Sequence, residues 1–438
     1  MIPLLLSLAL VGQFDMGRGS RLCASRDRSG LRSVFCSGRE AIEFAPDDGA
    51  GMGNECACAA VTTTSGLAVP VTRASSATCV TSAGVGYTCT NDQPVVERRG
   101  GVLGLRVEPA STNRLLRSEE LDNAAWTATA TVTANTYAGP WGTLMEQLSD
   151  GSGAASQGVQ QTHTAGWGTD QYWMFSCWVR GDSATAVRLK LTGVGASAGN
   201  TTCTLTGLTS TPQRYACVSG NYTDYATATA MTVDVLVGSA DADTGTIGVG
   251  HCQLERHANG ANKKVTASSY IKTDGSTAIR SSASAAIALN PNPINNSVGC
   301  FLYSHYIERF TDGWGPPDLN PTKTSAPTAS YMYLSSSNPA VDGWMAVSVG
   351  VGGVNISQSR SNRFDRWATA RLTWNQPGNV LCIYAHTVAE GWAGCAGAAT
   401  TTYAGGVGFA ASTSTTLAAN YGLVSRLKIG TSSAGCNL

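Results

Sequence analysis

The stretch Gln171 to Gly181, QYWMFSCWVRG, leaves little choice of fold. Taken two apart, Trp173, Phe175, Cys177 and Val179 share one side, while Tyr172, Met174 and Trp178 share the other. Apolar residues on both sides at period two describe a strand covered on each face, so it belongs inside a packed sheet. VRLKLTG alternates more simply, with Val187, Leu189 and Leu191 toward a core and Arg188 and Lys190 toward water. MTVDVLVG repeats this with Val233, Val235 and Val237, and TIGVGHCQLE supplies a further strand. Gly, Ser, Asn and Pro clusters part these runs at hairpin distances. Gly, Ala, Ser, Thr and Val abound while runs of helix formers are scarce, so the chain reads as all-β. Its architecture is expected to be two jelly-roll-like β-sandwich domains preceded by a small Cys-rich module.

A length of 438 residues accommodates two or three cores. The expected division is a Cys- and Gly-rich N-terminal module over 1–100, a first sandwich over 101–276 and a second over 277–438. Twenty-nine basic residues balance 29 acidic ones, so no basic field draws nucleic acid or an anionic membrane. The apolar run Ile2 to Val11 is too short to cross a bilayer as a helix. Within 1–12 two readings stay open, a cleaved signal and a retained strand or anchoring segment, because no Lys or Arg precedes the run and no A-x-A site follows it.

Fourteen cysteines are an even number, and their placement favours disulfides over zinc. Cys79 and Cys89, Cys203 and Cys217, and Cys382 and Cys395 are each spaced to pair across neighbouring strands, and Cys300 and Cys436 stand near the two ends of the last third. Cys177 and Cys252 are candidates too. Closing a loop of about 15 residues stabilises by roughly 3 kcal/mol in the chain-entropy model. Cys23, Cys36, Cys56 and Cys58 form the one regional group, but C-x-C spacing suits a single metal poorly and no histidine lies nearby. Disulfides imply an oxidising, extracellular or particle-surface location.

Several short motifs occur in a telling order: VTRASSATCVTSAGVGYTC, GLRVEPASTNRLLRSEELDNAAWT, YWMFSCWVRG, and HCQLE followed by ASSYIKTDGS. Together they resemble a family of phage tail and virion-surface proteins, over roughly residues 66 to 276. The resemblance implies a jelly roll like a carbohydrate-binding module, displayed on a tail fibre or similar surface, and brings no catalytic residues. The many cysteines and the first 60 residues depart from that family. Within the second motif Leu105 and Val107 are expected to bury one side of a strand, Pro109 to end it, and Trp126 to enter the core. The last part, with Leu372, Thr373, Trp374 and Tyr384 about an NQPGN turn and GLVSRLKIG near its end, is similar to laminin-G or concanavalin-like sandwiches.

Catalytic patterns are sparse. The five histidines, His163, His251, His257, His305 and His386, are scattered and none stands in H-E-x-x-H. GDSAT at Gly181 reads as a turn rather than a nucleophile block, and GVGG at Gly350 lacks a phosphate loop's spacing. Asp241 and Asp243 in DADTG offer carboxylates at i and i+2, so a structural calcium is the one cofactor left open. Paired acids for glycoside cleavage could come from Glu119, Glu120, Asp312, Asp318 or Asp365, but no pattern couples two of them. Binding is carried by aromatics, since sugar C–H faces pack on exposed rings. Trp141, Trp167, Trp314 and Trp392 stand in polar, Gly-rich loops and are the ligand candidates, whereas Trp126, Trp173, Trp178, Trp367 and Trp374 fit core strands. The function expected is that of a non-enzymatic phage or phage-derived surface protein adhering to cell-surface glycans. The alternatives are a purely structural virion subunit, for decoration or a fibre, and a secreted bacterial lectin-like protein. The partners are then glycans and other virion or tail proteins, with a homo-oligomer open.

Overall fold

The computed structural model describes most of residues 70–288, residues 56–58, and strand segments between 20 and 44 and between 298 and 430. Segment 1–12, Trp167, Trp314, Asp312, Asp365, Cys395 and Cys436 lie outside the described residues, as do the side chains of Trp392 and Cys382. Every described regular element is a β-strand.

The centre of the chain is a sandwich of two five-stranded antiparallel sheets. One runs in the order Thr127–Ala128, Gly158–His163, Ala230–Val237, Ala186–Val194, Asn200–Thr206. The other runs Thr131–Ala138, Leu144–Asp150, Gly245–Ala258, Gln171–Gly181, Gln213–Val218. Alternation decides which residues meet between them. Val187, Leu189, Leu191, Val233, Val235 and Val237 face Trp173, Phe175, Cys177, Val179, Ile247 and Leu254, and all join one buried cluster with Trp126. Arg188 and Lys190 point away from it, and Met174 and Trp178 are buried on the opposite face of their strand. Burying a side chain of this kind stabilises by about 1.5–3 kcal/mol. Cys203–Cys217 ties the Asn200–Thr206 strand of one sheet to the Gln213–Val218 strand of the other, and Cys177–Cys252 joins neighbouring strands within the core.

The chain enters and leaves this sandwich at one neck, where Ser111–Asn113 pairs with Ala278–Arg280. Just outside it, Val71–Thr72 pairs with Ser284–Ala288, and Val102–Val107 pairs with Gly422–Gly430. Strand pairing therefore runs across the boundaries expected at 100 and 276. Residues 71–72 extend a seven-stranded sheet, and 56–57, 96–99 and 102–107 extend a nine-stranded one, both otherwise built from residues beyond 284 apart from Ile42–Phe44.

The expected pairing of Cys79 with Cys89 is corrected by the structure. These cysteines lie on the two strands of one hairpin, Ala77–Val80 and Gly86–Cys89, but the register places Cys79 opposite Tyr87 and Cys89 opposite Ala77. Each is bonded to the C-x-C segment instead, as Cys56–Cys79 and Cys58–Cys89. Cys300 is also disulfide-bonded. No described cysteine is free.

Candidate functional site

The motif residues converge at the neck. Arg106 meets Glu97 through Nε at 2.5 Å and Nη2 at 2.7 Å, and Glu108 through Nη1 at 3.3 Å. Glu108 also pairs with Arg280 at 2.9 Å and accepts from the Ser269 amide at 3.0 Å. Glu255 accepts from the hydroxyls of Ser111 and Ser268. Asn113 is fully buried, donating to the carbonyls of Cys252 (3.0 Å) and Ile271 (2.8 Å) and accepting from the amides of Leu115 and Leu254. A buried ion keeps its charge only when its oxygens and protons are matched, and here they are matched largely by one another. These motifs therefore weld the neck.

Glu119 and Glu120 turn to different partners. Glu119 binds Lys272 at 2.8 Å and accepts from the Tyr270 hydroxyl at 3.2 Å, whereas Glu120 pairs with Arg117 at 3.2 Å. Asp241 pairs with Arg188 at 2.6 Å, while Asp243 accepts from the Ser239 and Ala240 amides in its own turn. Hydrogen bonds to Ser239 and Ala240 hold the Asp243 carboxyl below its usual range. No group of three metal-ligating side chains occurs among the described residues.

Trp141 is half-buried and packed among rings. It stacks on Tyr270 with centroids 5.0 Å apart, meets Trp178 edge-on at 5.6 Å and lies 5.0 Å from His251. Gly86 of the disulfide-bound hairpin fits against it, since a Cβ there would stand 2.4 Å from the Trp141 ring. His251 reaches this cluster through a β-bulge. Ser176 is opposite Gln253 but Trp178 is opposite Gly250, so His251 and Cys252 together face Cys177. With φ at 52°, His251 turns out of the core while Val249 and Cys252 remain in it. Its Nε2 meets the Thr143 hydroxyl at 2.6 Å, its Nδ1 is buried without a partner, and burial pushes the imidazole down to about 3.

The same sheet face holds a second group beyond Trp178. Cross-strand neighbours Gln147, Gly248 and Arg180 form one row; in the next, Gly250 is opposite Trp178 and Met145 packs over it. Two glycines at alternate positions leave a furrow along the Gly245–Ala258 strand. At Gly248 the Tyr137 ring and the Arg180 stem fill it, because a Cβ would stand 2.7 Å from Tyr137 Cδ2 and 2.6 Å from Arg180 Cγ. The Arg180 guanidinium lies over the Tyr137 ring at 4.4 Å. Burial, then the hydrogen bond and charge of Asp182, push the Tyr137 phenol above its usual range, and Gln147 also hydrogen-bonds it. An aromatic ring, a guanidinium, a carboxylate and an amide thus share one accessible sheet face, the set that packs and hydrogen-bonds a sugar. Sequence reading missed this group. The usable signal is the pair Gly248 and Gly250 at alternate positions, on one side of the strand.

No protein-family model and no curated protein matches the chain. Solved structures give partial likenesses. The enzymatically active domain of bacteriophage CBA120 tailspike protein 4 is 18% identical over 32% of this chain and 21% of its own, with a TM-score of 0.27. The CBM22-1–GH10 modules of Clostridium thermocellum xylanase 10B, solved with xylohexaose, are 13% identical over 37% of this chain and 30% of their own, at 0.25. The tandem CBM22-1–CBM22-2 domain of Paenibacillus barcinonensis Xyn10C is 11% identical over 74% of this chain and 99% of its own, at 0.27. TM-scores this low fall short of a shared fold.

Proposed function

We propose that the protein is a non-enzymatic adhesin of a phage, or phage-derived, tail or particle surface, and that its central sandwich holds cell-surface glycans on the outer face that Tyr137 and Arg180 form over the furrow at Gly248. The observation that carries this reading is the Tyr137–Arg180 stack with Gln147 and Asp182 around it. A pyranose packs its C–H side along the stack, and its hydroxyls exchange hydrogen bonds with Gln147, Asp182 and Arg180. The ordered motifs shared with phage tail proteins support the setting, and the disulfides support an oxidising location. Glu119 and Glu120, engaged with Lys272 and Arg117, support binding over hydrolysis. Among the described residues no helix is long and apolar enough to cross a membrane.

The test is a glycan-array screen of the full chain followed by calorimetry on the best ligand, with Tyr137→Ala beside the parent. Loss of at least tenfold in affinity with an unchanged melting temperature is expected. Unaltered binding by Tyr137→Ala would place the glycan site elsewhere, and no binding to any glycan at millimolar concentration would end the adhesin reading.

A further inference from the structure

We infer that the furrow selects acidic sugars, with Arg180 as the point that receives their carboxylate or sulfate. This rests on the furrow being the glycan site. Three other arginines in and around the sandwich spend their charge on acids, Arg188 on Asp241 at 2.6 Å, Arg106 on Glu97, and Arg280 on Glu108, while Arg214 donates to the Ser268 carbonyl and the Ser176 hydroxyl and Arg114 lies over the Trp173 ring. Arg180 has no ion pair among the described residues, and its Nε is buried without a hydrogen-bond partner. The nearest acid the structure assigns to this group, Asp182, is engaged with the Tyr137 phenol.

The guanidinium is nevertheless held in place. Its stem crosses Gly248 and its plane lies over Tyr137 at 4.4 Å, so little rotamer freedom remains to be lost when a ligand arrives. A planar fork of donors, fixed and unpaired, matches an oxyanion bidentately and is completed by one, while a neutral hydroxyl satisfies only part of it. The protein carries no net charge, so a preference for acidic glycans has to come from local cations rather than from a general field, and Arg180 is the one placed over Gly248.

Oligogalacturonate, its carboxyl-reduced counterpart, and a sulfated neutral chain of equal length separate the possibilities when titrated against the full-length protein. One or both charged chains should bind at least tenfold tighter than the reduced one, and the difference should shrink as salt is raised. Whichever charged chain gains identifies carboxylate or sulfate as the source of the oxyanion. Arg180→Gln should weaken the reduced chain, which also contacts this side chain, but weaken the charged chains by at least tenfold more, so that the preference disappears; Arg180→Lys, which keeps the charge without the fork, should retain only part of the preference and serves if the glutamine variant folds poorly. Equal affinity for charged and reduced chains, or a preference that survives Arg180→Gln, would overturn the inference while leaving the adhesin intact. Failure of every chain to bind, together with an empty glycan array, would overturn both.

Discussion

Glu146 stands on the Leu144–Asp150 strand with 2% of its surface exposed, and its Oε2 has no hydrogen-bond partner. Burial, followed by the negative charge of Asp122, pushes its carboxyl from 4.5 up to about 7, against the hydrogen bond that the Asn135 amide donates to it. The folded protein therefore binds a proton that the unfolded chain has released anywhere between those two values. Stability from this group is fully present below pH 4.5 and is lost as the pH rises toward 7. At about 1.4 kcal/mol per pH unit, the whole loss is about 3 kcal/mol. Glu146→Gln keeps the shape and removes the titration. Urea unfolding of both proteins from pH 4 to pH 8 gives a difference curve in which every other titrating group cancels. The variant should match the parent near pH 4 and exceed it by about 3 kcal/mol at pH 8, with unchanged m-values. A difference that is flat with pH, or largest in acid, would refute the argument that Glu146 is held neutral by its surroundings.

Three further outcomes follow from the same physics. His251 is neutral when folded and takes its proton at 6.5 once unfolded, so it erodes stability as pH falls from 6.5 toward 3; His251→Asn, which tolerates the positive φ, should flatten that acid limb in melting curves by up to about 1.4 kcal/mol per pH unit. Asn113→Ala removes the partners of four buried backbone groups and should cost at least about 3 kcal/mol in denaturant unfolding; a cost under 1 kcal/mol would show that water replaces the side chain. Mass spectrometry of a non-reduced digest should find Cys56 joined to Cys79 and Cys58 to Cys89, and a direct Cys79–Cys89 link would contradict the hairpin register.

The strands of the central sandwich were legible because period-two burial needs no knowledge of partners. Val187, Leu189, Leu191 and the two apolar sides of Gln171–Gly181 lie where alternation puts them. Alternation fails at His251, where one inserted residue reverses the side that follows, and nothing in GVGHCQL announces which residue is extra. Pairing of Cys79 and Cys89 was judged on loop length, but a bond is decided by which side chains share a face, and that required the register. Trp141 sits in a polar loop by sequence and in a ring cluster by structure, because the hairpin covering it comes from residues more than 50 positions earlier. Tyr137 and Arg180 escaped for a related reason: they meet over a glycine on a third strand, and separation along the chain hides such a meeting.

The paired strands at the neck also bear on how such a chain is assembled and inherited. A ribosome releases Val102–Val107 long before its partner Gly422–Gly430 exists, so the outer sheet must wait while the segment between Ser111 and Arg280 collapses on contacts of its own. A unit that joins its host through one short ladder, the buried Glu108–Ser269 contact and the Gly86 hairpin against Trp141 can be exchanged by recombination only where those contacts are kept. Variation can then accumulate in the loops of the insert, while the frame that carries it stays the same.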